Sequence, residues 1–122
     1  MCGIGGFCSF TRDYTSHPKV HSDLLVQMHK LQSHRGPDDQ GTYLSPHVGL
    51  SHARLSIIDL EGGHQPMVYS SNGRECVIVY NGELYNTKEL RQDLTLHGVL
   101  FETKSDTEVI LQSYLEYGAD FV

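Results

Sequence analysis

Cys2 stands behind a removable initiator methionine and is followed by Gly3, Gly5 and Gly6 in the opening stretch MCGIGGF. A thiol with an ordinary pKa of ~8.5 is only slightly ionised at neutral pH and needs a base. With Met1 removed, the same residue would carry an α-amino group of pKa ~7.7–8.0, partly neutral and able to take the thiol proton directly or through a water. Cys2 would then supply nucleophile and general base together, and the three glycines would let substrate and neighbouring backbone come close. The structural alternative is a small apolar residue buried on a first strand.

Other stretches carry the same two-sided reading. HRGPDD places Pro37 in the second position of a turn. In SHARLSIID, Arg54 sits among apolar neighbours, where a buried guanidinium needs a carboxylate, either Asp59 or a ligand. Asn81-Gly82 follows the apolar run CVIVY and is either a hairpin turn or a side-chain amide and glycine N–H converging on an oxyanion. Asp106 falls in the first turn of a helix, as an ordinary capping-region acid or as a carboxylate held for an ammonium. Taken together, a nucleophile with its own amine, an oxyanion pair, an Arg for a carboxylate and an Asp for an ammonium describe a site for an amino-acid amide. Glutamine fits.

The elements that must position these residues follow from pattern. CGIGGFCSF predicts a first strand, residues 11–20 a loop, and residues 23–34 a helix capped by Ser22 or Asp23 with Leu24, Met28 and Leu31 on one face. Short runs over 41–45, 48–59, 65–70 and 75–81 predict strands and hairpins, with Asn72-Gly73 the strongest turn. A second helix is expected over 87–97, capped by Asn86 or Thr87 and stopped by Gly98. A third is opened by Ser105, with Glu108 completing a capping box, and closed by Gly118; VLFET before it has no neighbour in sequence to pair with. Strands clustered between helices predict α+β with an antiparallel sheet.

Bulk properties narrow the classes. At 122 residues, 39% apolar and 20% charged, the chain has room for one core and one site. A net charge of −6 argues against a nucleic-acid partner, and no apolar run approaches membrane-spanning length, so a cytoplasmic protein with no membrane association is expected. Cys2, Cys8 and Cys76 form no CxxC pair and read as free thiols. Eight histidines, with His17 and His21 four apart and His29 and His34 five apart, lack Cys or carboxylate partners at ligand spacing, so no metal site is expected.

MCGIGGF, HRGPDDQG, SHARLSIIDLEGGHQPM, YNGELYN and KSDTEVIL, in this order and at these spacings, closely resemble the glutaminase domain of the glutamine-hydrolysing asparagine synthetases, within the class II glutamine amidotransferases. The resemblance covers nearly the whole chain. It implies an N-terminal-nucleophile αββα sandwich of two antiparallel sheets, truncated so that residues 1–122 form a partial domain without the C-terminal strands. It implies that Cys2 attacks the glutamine side-chain carbonyl, that the Asn81 amide and Gly82 N–H hold the oxyanion, that Arg54 grips the α-carboxylate and Asp106 the α-ammonium, and that Leu55, Ser56, Ile57, Ile58 and Glu83 complete the pocket. Glutamate and ammonia would be the products, the ammonia passing to a missing C-terminal synthetase domain for ATP-dependent amidation of aspartate. ATP and magnesium belong to that domain, the glutaminase part needs no cofactor, and a homodimer is compatible with it. The alternatives are an amidotransferase with another acceptor, a non-catalytic interaction module and, more distantly, a metal-binding module.

Overall fold

The computed structural model describes residues 1–55 and 62–121. Strands β1 (Gly3–Cys8), β2 (Asp39–Leu44) and β3 (Val48–Arg54) form an antiparallel sheet in the order β1-β3-β2, and β4 (Met67–Ser71) pairs with β5 (Arg74–Ile78) in a separate hairpin. Helices α1 (Pro18–Leu31), α2 (Thr87–Leu96) and α3 (Asp106–Tyr117) are accompanied by short 3-10 turns at Tyr14–Ser16 and Gly118–Phe121. The class is α+β with antiparallel sheets, as the order of patterns predicts.

Helix α1 packs on all three strands of the first sheet, while α3 packs on the hairpin and on α2. The two sheets are joined by a hydrogen bond from the Tyr43 hydroxyl to Glu75, by His52 against the Tyr80 carbonyl, and by the close passage of Gly41 beneath Gln65. The layer order is therefore helix, sheet, sheet, helix. Register makes this two-sided: Ile4, His52 and Gly41 stand level across β1, β3 and β2, and since side chains alternate along a strand they share one face. Ser51 and Gly5 lie on the other, under Met28 of α1.

The hairpin forms where expected. Asn72 and Gly73 have φ of 52° and 75°, the two positive angles of a type I′ turn between the paired residues Ser71 and Arg74. Helices α2 and α3 begin after Asn86 and Ser105, and Gly98 beyond α2 has φ 90°.

Helix α1 departs from expectation at both ends. It starts at Pro18, whose fixed φ and missing N–H suit the first helical position, so the expected cap at Ser22 or Asp23 lies inside the helix. It stops at Leu31, and Gln32 folds back with its N–H on the His29 carbonyl. Its buried face is also rotated by one residue. Leu25 is the buried leucine, while Leu24 and Leu31 are exposed. The reason is the glycine-rich first strand, which admits Met28 against Gly5 and Gln32 over Gly3, where Gln32 Nε2 donates to the Ile4 carbonyl at 2.9 Å.

The segment VLFET is not a strand; side chains satisfy its backbone instead. The Glu108 carboxylate accepts from the Glu102 and Thr103 N–H groups at 2.8 and 2.7 Å, and the Arg91 guanidinium donates to the Thr103 and Ser105 carbonyls while stacking over Phe101. This also corrects the capping box. Ser105 Oγ accepts from Thr107 N–H as expected, but Glu108 reaches past Ser105 to the preceding loop.

Gly41 carries the tightest constraint between the layers. A Cβ there would lie 2.1 Å from the Gln65 carbonyl oxygen and 2.9 Å from Pro66. Both belong to a main-chain segment that cannot swing aside, so Gly41→Ala is expected to destabilise the intact protein by roughly 1–3 kcal/mol, read as a lower urea midpoint, whereas the open turn position Gly73→Asn should cost well under ~1 kcal/mol.

Candidate active site

Cys2 immediately precedes β1, and the β1–β3 register, Gly3 opposite Ala53, carries it to the far end of β3. There the Leu55 N–H points at Cys2 Sγ at 3.4 Å, and the thiol lies 3.8 Å from the Leu55 carbonyl. The thiol is half-buried. Arg54, the last residue of β3, is 6% exposed and stands opposite Asp39 of β2. The HRGPDD stretch seats this strand end. A Cβ on Gly36 would lie 2.2 Å from the Ala53 carbonyl and 2.5 Å from the Arg54 nitrogen, and the Asp38 N–H donates to the Arg54 carbonyl at 3.0 Å. What reads in sequence as a turn is a buttress for the strand that presents Arg54.

Asn81, Gly82 and Glu83 follow β5 and precede α2. Asp106 is the first residue of α3, and its Oδ2 accepts from the Leu84 N–H at 3.2 Å, tying this loop to the helix. These segments surround one cavity of about 430 Å³, lined by Cys2, Arg54, Leu55, Asn81, Gly82, Glu83 and Asp106 among others. Ligand sites of drug-like size typically span roughly 300–1,000 Å³. Seven expected site residues thus meet at one cavity. Ser56, Ile57 and Ile58, with Asp59, lie outside the described residues.

Gln65 and Tyr80 also line the cavity, and neither is singled out by sequence reasoning. Gln65 is buried; its Oε1 accepts from the Tyr80 N–H at 2.5 Å and its Nε2 donates to Thr107 Oγ1 at 3.2 Å. Behind the cavity wall His52, fully buried, donates from Nε2 to the Tyr80 carbonyl at 3.3 Å. A lone Gln in HQPM and a lone His in SHAR have no spacing to betray them. Burial raises the Tyr80 phenol, and Asp106 and Glu83 push it the same way. No group of three or more His, Cys, Asp or Glu able to hold a metal occurs among the described residues, and no helix among them is long and apolar enough to cross a membrane.

The glutamine amidotransferase domain family matches this chain over residues 1–122, and the chain belongs to that family. It is 43% identical to asparagine synthetase (glutamine-hydrolyzing) 3 of Bacillus subtilis, 42% identical to asparagine synthetase (glutamine-hydrolyzing) 1 of Arabidopsis thaliana and 37% identical to asparagine synthetase B (glutamine-hydrolyzing) of Escherichia coli, in each case over the whole of this chain. The aligned stretch is 19%, 20% and 21% of those relatives, so the chain spans about a fifth of their length.

Burial holds the His52 imidazole below its ordinary 6.5, and Arg54 acts in the same direction, against the opposing hydrogen bond to Tyr80. The folded chain therefore binds a proton at His52 less readily than the unfolded chain, where the imidazole titrates near its ordinary pKa. Stability from this group is complete above about pH 6.5 and falls as the pH drops below it. Urea midpoints measured from pH 7.5 to 5.5 should fall more steeply for the wild type than for His52→Gln; parallel curves would remove His52 as the source.

Proposed function

We propose that this chain is the glutamine-hydrolysing part of an asparagine synthetase-type enzyme, with Cys2 as its nucleophile once Met1 is removed. The observation that carries the reading is that Cys2, Arg54, Asn81, Gly82 and Asp106, from four separate stretches of sequence, line one cavity. The freed α-amine takes the thiol proton, directly or through a water, and the thiolate sulfur attacks the side-chain carbonyl carbon of glutamine. Negative charge develops on the carbonyl oxygen, where the Asn81 amide and the Gly82 N–H donate hydrogen bonds. The C–N bond to the side-chain amide nitrogen then breaks, that nitrogen leaving as ammonia after accepting a proton, and water cleaves the glutamyl thioester to glutamate and regenerates the thiol.

Arg54 would bind the substrate α-carboxylate through its paired N–H groups, with Leu55 and Glu83 alongside; Asp106 would bind the α-ammonium. The ammonia would serve ATP-dependent amidation of aspartate in a synthetase portion beyond this chain. ATP and magnesium would act there and enter no step derived from these residues. Aspartate as acceptor accords with the name asparagine synthetase that the relatives carry. A cytoplasmic location and a homodimer as one assembly belong to the same proposal.

The test is intact-mass analysis of the intact protein before and after an electrophilic glutamine analogue, followed by glutaminase assays of variants. Loss of Met1 and a single adduct on Cys2 are expected. Cys2→Ser should lose hydrolysis, while Cys8→Ser and Cys76→Ser, whose thiols lie outside the cavity, should retain it. Equal loss from all three would defeat the mechanism. Asn81→Ala should lower kcat by roughly 10²–10³-fold, about 2.7–4 kcal/mol, with substrate binding largely kept.

A further inference from the structure

Catalysis at an oxyanion needs its donors fixed before charge develops. Here that demand meets a structural difficulty. The β5 ladder ends at Ile78, so Asn81 and Gly82 lie beyond either sheet and on the exposed side of the cavity. We propose that Gln65 and His52 are positioning residues that clamp the Tyr80 backbone from both sides and thereby fix the Asn81–Gly82 donor pair. The proposal rests on the glutaminase reading above and assigns that site a support on which catalysis depends.

The geometry is a two-sided grip. Gln65 Oε1 takes the Tyr80 N–H at 2.5 Å, and His52 Nε2 donates to the Tyr80 carbonyl at 3.3 Å. The Tyr80 carbonyl and the Asn81 N–H belong to one rigid peptide plane, so holding the carbonyl sets the plane from which the Asn81 side chain departs. Only the two soft torsions of Asn81 separate that plane from the Gly82 N–H. At the other end of the loop, Asp106 takes the Leu84 N–H. The donors are thus strung between two anchored points.

The anchors are themselves immobile. His52 is 0% exposed at the centre of β3 between Ile4 and Gly41. Gln65 is 5% exposed, bonded to Thr107 of α3, and its main chain rests on Gly41. His52 must carry its proton on Nε2, because a carbonyl only accepts; its buried Nδ1 has no hydrogen-bond partner among the described residues. Among the described residues the imidazole therefore makes one bond, the bond to Tyr80.

Steady-state glutaminase kinetics on the intact protein test the clamp, with kcat expressed per site titrated by an electrophilic glutamine analogue on Cys2. Gln65→Met keeps the length and removes the acceptor; Gln65→Glu keeps an oxygen for Tyr80 and can accept from Thr107. His52→Leu removes the donor, and His52→Gln retains a side-chain N–H. The methionine and leucine variants should lower kcat roughly 10- to 100-fold with KM within about threefold, because Arg54 and Asp106 are untouched, and the glutamate and glutamine variants should recover to within about fivefold. Should Gln65→Met fail to fold, the His52 pair decides by the same criterion. A folded Gln65→Met or His52→Leu with kcat within about twofold of wild type overturns the clamp and leaves the glutaminase reading standing. So does equal loss in the conservative and disruptive variants. A wild-type protein that shows no Cys2-dependent hydrolysis overturns both.

Discussion

Beyond Ile78 the chain leaves its ladder, and the peptide groups of Tyr80 must find other partners. A buried N–H or C=O left without one costs about 1–3 kcal/mol, a large fraction of the stability of a small domain. Both Tyr80 groups are paired, each with a side chain from a different layer of the fold, Gln65 from the segment before β4 and His52 from the centre of β3. The fold around the cavity can be understood as what that pairing demands. Gly41 has no side chain because the Gln65 carbonyl occupies its space, and β3 is central in its sheet so that His52 is held from both flanks.

The same logic explains a polar interior. Ser51, His52, Arg54, Gln65, Ser105, Thr107, Glu108, Gln112 and Ser113 are buried, against fewer buried apolar side chains among the described residues. Such groups are tolerable where bonded: the bonds of His52, Gln65, Ser105 and Glu108 hold segments around the cavity, Ser113 bonds within α3, and Ser51 Oγ and Gln112 Nε2 have no partner among the described residues. Glu108 and Arg91 grip the 102–105 segment by its N–H and C=O groups respectively, delivering Ser105 to cap α3 and Asp106 to the cavity. Charge follows from this placement. The N-terminus of a helix carries roughly half a positive charge, which would repel an ammonium, but a full carboxylate at its first residue outweighs it. Asp106 thus leaves the mouth of α3 net negative, a polarity suited to an ammonium.

Legibility in the sequence divides along the same physical line. Asn72-Gly73, Ser105 and Gly98 act within a few residues, and local chemistry named the turn, the cap and the stop. The candidate site was legible for a different reason: Cys2, Arg54, Asn81 and Asp106 are residue types whose chemistry is hard to explain away together. The resemblance supplied the pocket residues Leu55 and Glu83. What stayed hidden was set by contact across layers. The rotation of α1, burying Leu25 in place of Leu24, depends on the glycines of a strand that lies elsewhere in sequence, and no periodicity within the helix reports it. Pro18 as the helix start is a local signal, since proline suits the first helical turn. Gln65 and His52 carry no pattern at all, since a clamp on a backbone group needs only one side chain at the right place in space.

The proposed nucleophile stands at the start of the chain, and chain ends fray unless tied down. Here Cys2 is tied by the strand that follows it. Gly3 to Cys8 pair with Ala53 to Val48 residue by residue, and Gln32 adds a bond to the Ile4 carbonyl from α1. A slip of one residue in that pairing would turn every β1 side chain to the opposite face. It would bring the Gln32 contact against Cys2 or Ile4, where Gly3 now leaves room for it, and would move the thiol away from the Leu55 N–H. The glycines of MCGIGGF therefore have a structural role of their own. They let a helix lie close enough over β1 to lock its register, and the register is what places the thiol at the edge of the cavity.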